Sequence, residues 1–262
     1  MNAFVAAFWA EALKARRSRV TLGTTAGFLV LPLIGGLFMI ILKNPEQARA
    51  LGLISVKAQL VGGTADWPAF WSLLRQGAAV GGGMIFAFIT AWVFGREFSD
   101  HTAKELLAVP TPRRTIVGAK FVLLALWALV LTVLVFVVAL GVGAAVGMPG
   151  WSLTLAWASG GTLLLIACLL LQLMPLVALA ASAGRGYLPP LGWALSTLVF
   201  AQIAVVLGWG DWFPWAVPAL ASGMTGPGAE GIGLHSYLVV LLVFLVGMAA
   251  TFAWWQHADQ AR

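Results

Sequence analysis

Residues 121–184 read FVLLALWALVLTVLVFVVALGVGAAVGMPGWSLTLAWASGGTLLLIACLLLQLMPLVALAASAG, without a single Asp, Glu, Lys or Arg. A helix crosses a hydrocarbon core about 30 Å thick with about 20 apolar residues, so this run is long enough for two spans. Gly147, Met148, Pro149 and Gly150 supply the turn between them, which places the spans near 121–146 and 152–182. Strands are excluded, because a membrane strand alternates in polarity over about ten residues and these runs are solidly apolar.

Four more charge-free runs flank this one. They lie near 20–42 between Arg19 and Lys43, 76–95 between Arg75 and Arg96, 188–210 after the Gly184, Arg185, Gly186 loop, and 235–256. Only 9% of the chain is charged and 61% is apolar, whereas a soluble domain carries about 25% charge. Lipid is therefore the solvent for most of it. The expected fold is a single all-α integral membrane domain over residues 1–262 with six transmembrane helices. The N-terminal charges, Glu11, Lys14, Arg16, Arg17 and Arg19, follow an apolar stretch where a cleaved signal would have them precede it, so no segment is expected to be removed. The net charge of +6 does not point to nucleic acid, because the basic residues sit in short clusters beside apolar runs. The single Cys168 permits neither an intrachain disulfide nor a Cys-based metal cluster.

Orientation follows from the basic residues. With the N-terminus in the cytoplasm, Lys14, Arg16, Arg17, Arg19, Arg96, Lys104, Arg113, Arg114, Lys120, Arg185 and Arg262 fall inside, and only Lys43, Arg49, Lys57 and Arg75 fall outside. That bias favours both termini inside. Residues 2–19 place Phe4, Phe8, Trp9 and Leu13 on one side of a helix with a basic end, which reads either as an interfacial helix or as the start of span one. In the first outer loop, Asn44, Pro45 and Glu46 open a short helix that Gly62 and Gly63 stop. Between spans five and six, Asp211, Trp212, Phe213, Pro214, Trp215 and Pro218 read as a re-entrant or interfacial segment, or as an aromatic belt anchoring the neighbouring spans.

The most informative polar stretch is the loop over 96–120, within GREFSDHTAKELLAVPTPRRTIVGAK at 95–120. Thr102 and Glu105 form a T-x-x-E capping box ahead of Leu106 and Leu107, and Pro110 and Pro112 end the helix after two turns. A capped helix that presents leucines to water fits a protein partner, or rests on headgroups. Arg113 and Arg114 open the next helix, where positive charge is unfavourable, so an anion is expected nearby: Glu97 or lipid phosphate.

Phe94, Glu97, Thr102, Leu106, Leu107, Pro110, Arg113 and Lys120 occur in an order that resembles the first cytoplasmic loop of type-2 ABC exporter permeases. That family includes bacitracin- and lantibiotic-resistance permeases and multidrug efflux permeases. The resemblance implies a permease subunit that moves a hydrophobic or amphipathic substrate by alternating access. It further implies a separate ATPase subunit holding the ATP and magnesium, and a second permease chain, identical or not, across the substrate path. It places the protein in the bacterial inner membrane. Residues 102–109 would be the coupling helix, Glu97 the acid at its base, and Glu105, Arg113 and Arg114 part of the coupling site. The family often has Gly before the Thr, where this chain has His101.

Other chemistries find little support. No G-x-x-x-x-G-K-[ST] occurs, so the chain has no P-loop of its own. His101, His235 and His257 are far apart, so no metal site is expected. Ser159-Gly160 superficially resembles an intramembrane protease nucleophile but has no His at its depth. Gln172 and Gln202 are the polar candidates for a substrate path, and both also suit interhelical hydrogen bonding. Without an embedded Asp, Glu, Lys or Arg at midplane, an ion-coupled carrier is disfavoured. A noncatalytic subunit of a lipid-handling or assembly complex fits the same absence. The orientation is tested by cysteines introduced at Gly150, Gly231 and Lys104: an impermeant thiol reagent added to sealed cells should label the first two and spare the third.

Overall fold

A computed structural model describes residues 2–44, 64–102, 111–224 and 232–257. Its helices are α1 (Ala3–Arg16), α2 (Arg19–Lys43), α3 (Trp67–Gly77), α4 (Gly83–Ser99), α5 (Arg113–Val146), α6 (Leu153–Ala183), α7 (Leu188–Val206), α8 (Val217–Ala221) and α9 (Leu234–His257). A π-helical turn, Ala78–Gly82, joins α3 to α4 without a break, and a 3-10 turn, Gly210–Trp212, precedes α8. Six helical stretches are long and apolar enough to span a membrane: α2, α3 with α4, α5, α6, α7 and α9. The chain is a multi-pass, all-α membrane protein. The short helix expected after Asn44 and the body of the helix expected after Thr102 lie outside the described residues.

The helix ends follow local chemistry. Ser18 Oγ accepts from Val20 N–H at 3.0 Å, so α1 ends and α2 starts afresh instead of α1 being the frayed beginning of span one. Asp66 Oδ1 accepts from Ala69 N–H at 2.9 Å, with Pro68 in the first turn. This cap starts the second span at Trp67, well before the expected 76, and puts Arg75 inside the helix. Gly147, at φ +66°, ends α5, because a left-handed residue stops a helix and glycine bears no Cβ to clash there.

The start of α1 and the end of α9 lie at one end of the bundle, the basic end. At the far end, Trp67, Phe70, Trp71 and Leu74 repeat at helical spacing and are all buried, beside Met39 and Met148. Trp67 stands 4.7 Å from the Trp151 ring and donates its backbone N–H to Pro149 O at 3.1 Å. Lys43 Nζ donates to Val146 O and Gly147 O, at 3.1 and 3.2 Å, at the C-terminus of α5, where a cation meets the negative pole of the helix. In the middle, Thr251 of α9 donates to Pro175 O of α6 at 2.9 Å, and Gly247 packs on the Pro175 ring. Val130, Val137, Leu245 and Val246 remain exposed on the bundle surface, as lipid-facing residues must.

The segment after α7 is neither wholly exposed nor wholly buried. Trp209 and Trp212 are exposed in the manner of an aromatic belt, while Ala216 and Val217 are fully buried where α8 packs against α6. At five residues, α8 is far too short to cross a bilayer.

Close approach depends on small residues. A Cβ at Gly143 would overlap the Trp67 ring, whereas Gly141, on the same helix, has open space around it. Gly143→Val should therefore cost about 1–3 kcal/mol by forcing Trp67 out of its seat, read as a lower unfolding temperature in detergent, while Gly141→Ala should not lower it.

Candidate functional site

Four charged side chains converge at the basic end. Glu11 and Lys14 come from adjacent turns of α1, Glu97 from the last turn of α4, and Lys120 from the second turn of α5. Lys120 is completely buried. Its ammonium donates to Glu97 Oε1 at 2.7 Å, Val93 O at 2.8 Å and Glu11 Oε2 at 3.1 Å, which uses all three of its protons. Lys14 Nζ donates to Glu11 Oε1 at 2.7 Å and to Glu97 Oε1 at 3.1 Å. The cluster is thus a closed ring of two cations and two anions with no net charge. Taking an ion out of water costs several kcal/mol, so each member is tolerated only while the others stand beside it.

This arrangement differs from the sequence expectation. Glu97 compensates Lys120 and Lys14, and not Arg113 or Arg114. Arg113 instead donates from Nη1 to the carbonyls of Trp255 and Gln256, at 3.2 and 3.5 Å, at the end of α9. The partial negative charge of that helix end supplies what no carboxylate does. Arg114 is exposed and makes no ion pair among the described residues. The apolar side expected on α1 faces outward at Phe4, Trp9 and Leu13, with Phe8 half-buried. Trp9 and Leu13 are exposed while Glu11 and Ala15 are buried, so α1 turns its ionic side to the protein.

The start of the 96–120 loop is tied to the same cluster. Thr102 N–H donates to Glu97 O at 2.9 Å and His101 N–H to Phe98 O at 3.3 Å, with His101 at φ 58°. This is a Schellman turn, in which the left-handed position is usually glycine. His101 therefore occupies the conformation that the family's glycine would favour, and the departure in residue type leaves a glycine-like backbone. Thr102 is exposed, and Glu105, Leu106, Leu107 and Pro110 lie outside the described residues.

The two glutamines are not brought together. Gln172 is half-buried and donates to Cys168 O of its own helix at 3.4 Å, and Gln202 is exposed on α7. Between α4, α6 and α7 lies an apolar cavity of about 40 Å³ walled by Ala79, Gly83, Met84, Leu173, Met174 and Trp215, which neither glutamine lines. Ser159 Oγ is buried without a hydrogen-bond partner, and His235 Nε2 stands 2.9 Å from Asp211 Oδ2 and 3.4 Å from Ser236 Oγ, so the histidine is not paired with Ser159. Among the described residues, no group of three or more His, Cys, Asp or Glu gathers as a metal site either.

Glu11 and Lys14 were not singled out in the sequence reading. The available signal was Glu11 itself, the lone acid in the first 43 residues, standing amid apolar residues three positions before Lys14. Lys120→Met should cost about 3–5 kcal/mol, since it leaves two carboxylates to one lysine. Combining it with Glu97→Gln should restore much of the loss, because the remaining Glu11 and Lys14 balance. A double-mutant cycle on unfolding in detergent measures this, and additive losses would contradict the ring.

Comparison with known proteins agrees with this architecture. The family model described as ABC-2 family transporter protein matches residues 7–202. The bacitracin transport permease protein BCRB of Bacillus licheniformis is 26% identical over 179 residues, which is 67% of this chain and 84% of that protein. The family match begins within α1 and runs into α7, so it takes in every member of the ion cluster and the loop that leaves it: the chain is a membrane permease of the ABC-2 transporter family.

Proposed function

We propose that this permease is the membrane-spanning subunit of an ATP-driven exporter, with both termini in the cytoplasm, and that a separate ATPase subunit docks on the loop after α4. The observation that carries the reading is the double role of Glu97. Its carbonyl accepts from Thr102, the first residue of the expected coupling helix, and its carboxylate binds Lys120 and Lys14. A displacement of the loop at Thr102 is handed directly to α4 and, through the ion ring, to α1 and α5. Arg113 extends the linkage to α9 at the other end of the loop. The chain needs such an input, because it has no P-loop of its own.

The substrate in this reading is hydrophobic or amphipathic, and it passes by alternating access between two copies of the chain. Two considerations support that. The apolar cavity between α4, α6 and α7, of about 40 Å³, is well below the roughly 300–1,000 Å³ of a drug-sized site, so it does not by itself form the path. The relative's name is that of a bacitracin transport permease. The nucleotide and its magnesium belong to the partner subunit.

The test separates docking from folding. Purified alone, the permease should neither bind nor hydrolyse ATP. Leu106→Ala with Leu107→Ala should insert normally, since neither residue lies in a span, yet lose the co-purifying ATPase and transport, each truncation removing about 1–3 kcal/mol from docking. Stoichiometric nucleotide binding by the isolated chain, or a double variant that keeps both its partner and full transport, would overturn the proposal.

A further inference from the structure

A second feature of the basic end is not used by the ion ring. Between α1, the end of α4 and the turn before α7 lies an open cavity of about 470 Å³. Its walls are of two kinds. Leu13 and Trp92 give an apolar side, while Arg17, Arg96, Asp100 and Tyr187 give a polar one. Arg96 pairs with Asp100, Nε to Oδ2 at 3.1 Å, and its guanidinium stands 5.1 Å from the Trp92 ring centroid. Lys14, also on the wall, is committed to Glu11 and Glu97. Arg17 is exposed and makes no ion pair among the described residues. The cavity therefore carries one uncompensated positive charge next to an apolar wall.

We infer that this cavity binds the phosphate headgroup of an anionic phospholipid from the leaflet at the basic end, with Arg17 and Arg96 on the phosphate and an acyl chain along Leu13 and Trp92. The level is right for it. Trp9 and Leu13 are exposed on α1, which puts that helix at the boundary between acyl chains and headgroups. Tyr187 supplies a neutral hydroxyl, as an ordinary phenol does near pH 7, and burial and the nearby Asp100 carboxylate push it further up. A free phosphate would satisfy the arginines and leave Leu13 and Trp92 without purpose. A zwitterionic headgroup would bring a positive charge to a cavity that already has one in excess. A lipid seated here touches α1 and α4 beside the ion ring, and its presence does not depend on what the permease carries.

The experiment is native mass spectrometry of the full chain released from detergent, titrated with dioleoyl phosphatidylglycerol, dioleoyl phosphatidylcholine and inorganic phosphate. Phosphatidylglycerol should be retained in preference to phosphatidylcholine, and Arg17→Gln should weaken its binding about fivefold, the worth of one basic residue at an anionic headgroup. Arg16→Gln removes the same charge from the adjacent position about 100° round the helix, outside the cavity lining, and should have little effect. Arg17→Lys should recover most of the affinity and guards against a variant that merely misfolds. Leu13→Gln should also weaken the lipid, and excess inorganic phosphate should not displace it. Equal losses for Arg16→Gln and Arg17→Gln would reduce the site to general surface charge and overturn the inference. Displacement by inorganic phosphate together with indifference to Leu13→Gln would make it a free-phosphate site. Loss of ATPase capture by Arg17→Gln, with lipid retention unchanged, would make the cavity part of a protein interface instead.

Discussion

The packing of the basic end depends on one ammonium group. Lys120 sits with no solvent exposure between three helices, and a buried charge is stable only where opposite charge and hydrogen bonds meet it from every side. Glu97, Glu11 and the Val93 carbonyl do so at 2.7 to 3.1 Å. The requirement ties α4 to α5 at this end and makes α1 a structural member of the bundle. A helix of this kind at a membrane surface is ordinarily held by its apolar face. Here the apolar residues Trp9 and Leu13 remain exposed and the ionic face is inward, so the ring is what ties α1 to the bundle at this point.

The two ends of the bundle are joined by different physics. The far end is an aromatic stack seated on small residues, Trp67 against Gly143 and Trp71 against Phe136 with ring centroids 5.4 Å apart, and its strength is dispersion over a close-packed contact. Such contacts are short-ranged and fail when one partner moves by a fraction of an ångström. The basic end is ionic in a poorly solvated setting, where attraction falls off more slowly with distance. The π-helical turn at Ala78–Gly82 lies between them, in the helix that belongs to both. A π turn is a local departure from the regular hydrogen-bond ladder and marks functional segments of helices. It borders the small apolar cavity through Ala79 and Val80 and the aromatic end through Ala78, so a change in its winding would alter that cavity.

The sequence was informative about the spans and poor about their limits, for a definable reason. Runs free of charge are dictated by the hydrocarbon, and all six appear as helices. Helices, however, continue past the hydrocarbon wherever caps and packing allow it. Asp66 and Pro68 extend the second span back to Trp67, and Arg113 starts the third eight residues before the charge-free run. The capping signal of Asp66 was present in the sequence, but the charge of Arg75 outweighed it in the reading. The partners of Glu97 were missed because proximity along the chain favoured Arg113 and Arg114, while the actual partners lie 23 and 83 residues away. Electrostatic pairing across helices is set by the rotation of each helix about its axis, and three nearly uniform apolar helices give the sequence little from which to read it.

His101 shows how a departure in residue type can leave a geometry intact. A left-handed backbone costs an L-residue roughly 1–2 kcal/mol, and histidine is among the side chains seen there more often than most. Two main-chain hydrogen bonds, from Thr102 to Glu97 and from His101 to Phe98, offset that cost. Neither involves the His101 side chain. The direction in which the loop leaves α4 is therefore set by the carbonyls of Glu97 and Phe98, whose positions are fixed in turn by the Glu97 carboxylate in the ion ring. Glycine at the same position would remove strain without changing that direction, so the route from Thr102 through Glu97 to Lys120 survives the substitution that separates this chain from the usual family pattern.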